Sequence, residues 1–101
     1  MADATITEIV KKYIEILGVG KYNLIQAYLF GSYAKGNFNK DSDIDVALVF
    51  DKIKDRFDTR VELMKLTRKI DLRIEPHPFE KSDVDDHNPF LEEILRTGIR
   101  I

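Results

Sequence analysis

Asp43 and Asp45, separated by one residue, stand at the head of the run Asp43-Ile-Asp-Val-Ala-Leu-Val-Phe50. The run reads as a β-strand, so the two carboxylates leave one face of the sheet about 6.6 Å apart along the chain. Ala47 and Val49 continue that face, whereas Ile44, Val46, Leu48 and Phe50 make the other face fully apolar. Like charges about 5–6 Å apart repel by roughly 3 kcal/mol at an effective dielectric of about 20. A divalent cation shared between them reverses the sign, and hard oxygen donors favour magnesium or manganese. A bare Asp-x-Asp pair at a strand end more often simply faces water. What raises this pair above that reading is Gly31-Ser32, directly after the apolar run Leu24–Phe30 and with ten residues between Ser32 and Asp43. Glycine lets the backbone approach an anion closely, and the N–H groups of a following helical turn, with the Ser32 hydroxyl, can hold phosphate.

A third acid would complete such a site. Ile70-Asp-Leu-Arg-Ile-Glu75 alternates strictly and reads as a strand ended by Pro76 and Pro78. Asp71, Arg73 and Glu75 share one face of it, and Ile70, Leu72 and Ile74 share the other. If this strand lies beside the Asp43–Asp45 strand, Asp71 can reach the same metals, bind on the attacking side and help accept a proton. Glu75 is the alternative third carboxylate. The plain structural reading instead pairs Asp71 with Arg73 or Lys69 as a surface salt bridge.

The elements that must position these residues are legible in the periodicity. Ile6, Ile9, Val10, Tyr13, Ile14 and Leu17 form one helical stripe, with Thr5 and Glu8 fitting a capping box and Gly18 placed to end it. Leu24–Phe30 lacks two-residue alternation, as a strand buried on both faces would. Ser32–Gly36 holds a turn or two of helix. Asp55–Lys69 reads as a second long helix, with Phe57, Val61, Met64 and Ile70 among its inward residues. Phe79–His87 reads as loop or broken helix. Asn88 can cap a last helix with Pro89 at its first position, running through Leu91, Ile94 and Leu95 to Gly98. Ile99-Arg-Ile101 suits a short edge strand. Residues 1–101 therefore read as a single α/β (α+β) domain with one small sheet.

Composition narrows the partners. The 101 residues are 44% hydrophobic and 34% charged, which excludes a disordered tail. Sixteen Lys+Arg against eighteen Asp+Glu give a net charge of -2, so direct nucleic-acid binding by a globally basic surface is not expected. The chain has no cysteine, which removes disulfides and thiolate zinc sites. No apolar run is long enough to span a membrane and the start does not read as a signal peptide, so the cytoplasm is the expected compartment.

The segment GSYAKGNFNKDSDIDVALV resembles the Gly-Ser, ten residues, Asp-x-Asp motif of the DNA polymerase beta nucleotidyltransferase superfamily. Together with IDLRIEP and the ending FLEEILRTGIRI, nearly the whole chain is similar to the minimal nucleotidyltransferases of bacteria and archaea, of the MntA-like antitoxin type. The resemblance implies a polymerase-beta-like palm, with a small mixed sheet and helices mainly on one face, and transfer of a nucleoside monophosphate, most often AMP from ATP, to an acceptor. Position by position, it implies that Gly31, Ser32 and Lys35 hold the triphosphate. Asp43 and Asp45 would bind two magnesium ions, and Asp71 the ion that activates the acceptor. It also implies a HEPN-domain toxin as partner and acceptor, in a type VII-like toxin–antitoxin pair. Lys35 departs from the arginine common in this loop, keeping the charge but losing the bidentate fork.

The remaining candidates have plainer readings. His77 and His87 are expected in solvated loops, Lys40 and Arg73 as surface charges within reach of a triphosphate, and Asp83, Asp85 and Asp86 as a solvent-facing acidic patch. Tyr28 and Phe30 are expected in the core, with the role of Tyr33 open. Short exposed edges make a homo-oligomer plausible. Three functional readings follow: an active nucleotidyltransferase, a catalytically silent antitoxin that blocks its partner by binding alone, and a simple nucleotide-binding module.

Overall fold

The computed structural model describes residues 4–19, 23–39 and 41–101, with the side chain of Val19 left aside. Its elements run α1 (Ala4–Val19), β1 (Leu24–Phe30), α2 (Ser32–Lys35), β2 (Ile44–Phe50), α3 (Arg56–Thr67), β3 (Ile74–Glu80), α4 (Lys81–Asp85), α5 (Pro89–Thr97) and β4 (Ile99–Arg100). The four strands form one mixed sheet in the order β3-β2-β1-β4. β1 pairs antiparallel with β2 and with β4, and β2 pairs parallel with β3.

Strand alternation splits the sheet into two chemistries. Ala27, Leu29, Ile44, Val46, Leu48, Phe50 and Ile74 face the main core, where the α1 stripe of Ile6, Val10, Tyr13 and Leu17 packs with Leu63 of α3. The Tyr13 hydroxyl donates to the Leu63 carbonyl at 2.8 Å and ties the two helices together. On the opposite face Ala47, Val49 and Phe79 meet Leu91 and Ile94 of α5. Thus the two long helices share one face, and α5 covers only part of the other. The uncovered part of that second face carries the acids.

Asn88 caps α5 as its sequence position predicts, accepting from the N–H groups of Phe90 and Leu91. Four other expectations need correction. Helix α1 begins at Ala4, so Thr5 lies inside it rather than at a cap, and it runs one residue past Gly18. Strand β1 buries only Ala27 and Leu29, with Ile25 exposed and Tyr28 and Phe30 half-buried, because its second face is only partly roofed by α5. Helix α3 carries two apolar stripes, and the one that faces inward is Leu63, Leu66 and Thr67, followed by Ile70 just beyond the helix; Phe57, Val61 and Met64 face outward.

The largest correction concerns β3. It starts at Ile74, not Ile70, and contains both prolines instead of stopping before them. The Ile44 N–H donates to the Arg73 carbonyl at 2.8 Å. In a parallel pair this register points the odd-numbered backbone groups of β3 at β2 and the even-numbered ones outward. Pro76 and Pro78 therefore lack an N–H only on the free edge, where none is needed.

Candidate active site

Ladder register builds the site as a row across three strands. Phe30 of β1 stands opposite Asp45 of β2, and Asp45 opposite Glu75 of β3. The next row is Tyr28, Ala47 and His77. The small Ala47 side chain leaves the imidazole room to lean back toward the acids. His77 Nε2 lies 3.2 Å from Asp45 Oδ1. One donor atom from each of Asp45, Glu75 and His77 lies within 4.8 Å of the others. The His77 ring is held edge-on by Phe30, with centroids 5.0 Å apart, and by Phe90 at 6.3 Å.

Gly31 follows Phe30 and turns the chain over this row. Its φ of 75° and ψ of -149° belong to glycine alone. A Cβ here would collide with Asp45 Oδ2 and stand 3.3 Å from its Cγ. The sequence placed glycine here for approach to an anion, and the structure adds that the same vacancy accommodates Asp45. Ser32 opens the single turn α2, which closes through the Lys35 N–H to the Gly31 carbonyl at 3.1 Å and ends on Gly36 at φ 81°. Ser32 is half-buried beside the acids' strand, and Lys35 is exposed at the end of the turn. Tyr33 is buried, stacks on Phe38 at 4.4 Å, and its hydroxyl donates to the Asn39 carbonyl while accepting from Arg73 Nη1, each at 3.1 Å. Its work is to fix the loop. Lys40 lies outside the described residues.

Asp43 sits one residue before β2, exposed, on the same alternation as Asp45. Asp71 does not join the cluster. It lies in the turn before β3, where both its oxygens are taken by Arg73: Oδ1 accepts from the backbone N–H at 2.9 Å and from Nε at 3.1 Å, and Oδ2 from Nη2 at 2.8 Å. These hydrogen bonds hold the Asp71 carboxyl below its usual range against a smaller opposing cost of burial, and they push the Arg73 guanidinium up. Glu75, the alternative third carboxylate, is the one that β3 aligns with Asp45. Leu72, expected on an apolar strand face, is exposed in this turn.

His77 was expected in a solvated loop, and the two prolines are the reason. Their alternation was itself the overlooked signal, because it leaves Glu75, His77 and Phe79 on a common face. His87 is remote from this chemistry, exposed and hydrogen-bonded to Glu92 at 2.6 Å. Asp83 is not simply solvated either: it caps the Glu80 N–H and binds Arg56 at 2.9 Å.

The donor set suits a divalent ion. Two carboxylates are hard ligands, and a side chain at position 31 would take the space beside Asp45 Oδ2. Beside His77, a cavity of about 360 Å³ opens between Arg56, Phe57 and Arg60 of α3, Phe79 of β3 and Phe90 of α5. A second cavity of about 380 Å³, at the far end of β2 around Ile53 and Thr59, lies away from the acids.

The sequence matches the family described as Polymerase beta, Nucleotidyltransferase over residues 5–101. It is 35% identical to a Methanocaldococcus jannaschii protein, named by inference as a protein adenylyltransferase, across 93% of this chain and 91% of that one. A crystal structure from Sulfolobus solfataricus, named by inference as a nucleotidyltransferase, superposes with a TM-score of 0.63 at 27% identity, over 81% of this chain and 73% of that one. A mutant of the toxin–antitoxin MntA-HpeT superposes with a TM-score of 0.65 at 25% identity, over 91% and 70% of the respective chains. With its glycine turn seated against an aspartate of the central strand, this chain belongs to the polymerase beta nucleotidyltransferase family.

Proposed function

We propose that the protein transfers AMP from ATP to an acceptor on a partner protein, as the antitoxin of a toxin–antitoxin pair whose toxin is of the HEPN class. The observation that carries this reading is the alignment of Asp45 with Glu75 beneath Gly31, in a chain of nucleotidyltransferase family. In this reading Gly31, Ser32 and Lys35 hold the triphosphate, and Asp43 and Asp45 hold magnesium ions against it. Glu75, rather than Asp71, is the third carboxylate. Divalent ions there would neutralise polyphosphate charge and favour loss of the acceptor's proton. The acceptor oxygen attacks the α-phosphorus, the bond to the bridging oxygen breaks, and pyrophosphate leaves with that electron pair. In this reading Glu75 takes the acceptor's proton. Alignment and charge neutralisation carry this chemistry, with no protein nucleophile required.

The test is incubation with α-labelled ATP, magnesium and the protein encoded beside it. Label should move to that protein with release of pyrophosphate, and the double variant Asp43→Asn, Asp45→Asn should abolish it. Equal transfer by the double variant would overturn the assignment.

A second reading, neutralisation by binding alone, is favoured by the outward stripe of Phe57, Val61 and Met64 on α3, an apolar patch suited to a protein contact. It requires that the same double variant still neutralise the toxin.

A further inference from the structure

We propose that His77 is a metal ligand that biases the site toward manganese, or a comparable transition ion, and away from magnesium. The proposal rests on the preceding reading only in supposing that a divalent ion binds between Asp45 and Glu75. His77 Nε2 lies 3.2 Å from Asp45 Oδ1. The donors of Asp45, Glu75 and His77 already lie within 4.8 Å of one another. Neighbouring ligands on an octahedral ion with bonds of about 2.1 Å are roughly 3 Å apart, so small side-chain rotations close the set. Phe30 and Phe90 wedge the imidazole edge-on, and Ala47 beneath it leaves the ring space to approach.

Two carboxylates and one imidazole make a mixed donor set. Magnesium prefers oxygen throughout and gives up water reluctantly, whereas imidazole nitrogen suits transition ions, whose affinity for such sites rises from manganese toward copper. A histidine beside this pair of acids therefore adds little for magnesium and more for a transition ion, of which manganese is the first in the series. The nucleotide need not be present for this difference to be read.

The test uses the whole chain without nucleotide. Manganese-loaded wild type is examined by pulsed electron paramagnetic resonance for coupling to nitrogen, and manganese and magnesium affinities are measured by calorimetry for wild type and His77→Gln. The expected result is a directly bound nitrogen in wild type that vanishes in the variant. Manganese affinity should fall by about tenfold or more, the scale of lost ligand support, while magnesium affinity falls by less than about threefold. Manganese bound without nitrogen coupling, or an equal loss for both ions, would overturn the proposal. Should the variant fail to fold, the wild-type spectrum alone decides. Nitrogen coupling without label transfer would keep this inference and remove the transferase reading; transfer without nitrogen coupling would do the reverse.

Discussion

Asp45 and Glu75 are direct neighbours across the parallel ladder of β2 and β3, two acids on one sheet face at a spacing of about 4.8 Å between strands. Like charges so placed weaken a sheet by roughly 0.2–1 kcal/mol. A site kept for function in this way should show opposite responses in stability and activity. Glu75→Gln is expected to raise the metal-free melting temperature by about 2–4 °C, from relief of about 0.5 kcal/mol. The same change should cut label transfer by about a hundredfold or more. Asp71→Asn should cut transfer by less than about fivefold, since Asp71 acts on Arg73 and only indirectly on the site. Melting curves and α-label assays on the two variants check both directions. A larger loss for Asp71→Asn than for Glu75→Gln would return the third carboxylate to Asp71.

Gly31 sets a separate constraint. Its backbone conformation is closed to other residues, and a Cβ would enter the space of Asp45 Oδ2. Gly31→Ala should therefore cost about 2–3 kcal/mol from backbone strain and displacement of the aspartate. The melting temperature would fall by roughly 8–24 °C for a chain of this size. Gly36→Ala meets no neighbouring atom, so only its left-handed φ is strained. Its loss should be about 1 kcal/mol. Denaturant midpoints of the pair separate the two causes.

The Asp71–Arg73 clasp carries a pH signature. A carboxyl held below its usual range by hydrogen bonds binds fewer protons in the folded chain than in the unfolded one. Its contribution is complete above the unfolded value of about 3.9 and disappears as the pH falls through the lower folded value. Wild type should exceed Asp71→Asn in stability by about 1 kcal/mol at neutral pH, a modest amount because water reaches the pair. The gap should stay constant down to about pH 5 and close below about pH 4. Melting temperatures of both proteins across that range are the measurement. A gap that widened on acidification would contradict the clasp.

What the sequence disclosed depended on whether one residue's pattern had a single physical meaning. The α1 stripe, the Asn88 cap and the β2 alternation each had one, and their elements lie where periodicity put them. Pro76 and Pro78 had two meanings: they stop a central strand but are harmless on the outward edge of β3. Which applies depends on sheet order, a tertiary fact. Reading them as stops drew Asp71 into the strand and cast His77 out. On α3, Phe57–Val61–Met64 and Leu63–Leu66–Thr67 both satisfy helical spacing, and only packing against β3 and α1 selects the second.

That rejected stripe supports the last prediction. Phe57 is 75% exposed, with Val61 and Met64 on the same helix face. Phe90 of α5 is also exposed and lines the same cavity as Phe57, with Arg56 and Arg60 alongside. Aromatic side chains beside arginines are the residues that most often anchor a protein contact. If a partner docks here, Phe57 and its helix-face neighbour Met64 should together be worth about 2–4 kcal/mol of binding and almost nothing to the fold. Phe57→Ser combined with Met64→Ser is therefore expected to leave the melting temperature within about 3 °C of wild type. Affinity for the co-expressed neighbouring protein should fall by about thirtyfold or more. Leu63→Ala, one position away but buried, should instead cost about 2–4 kcal/mol of stability. Calorimetric binding beside thermal melts distinguishes the two: unchanged affinity in a folded double variant would move the docking surface elsewhere.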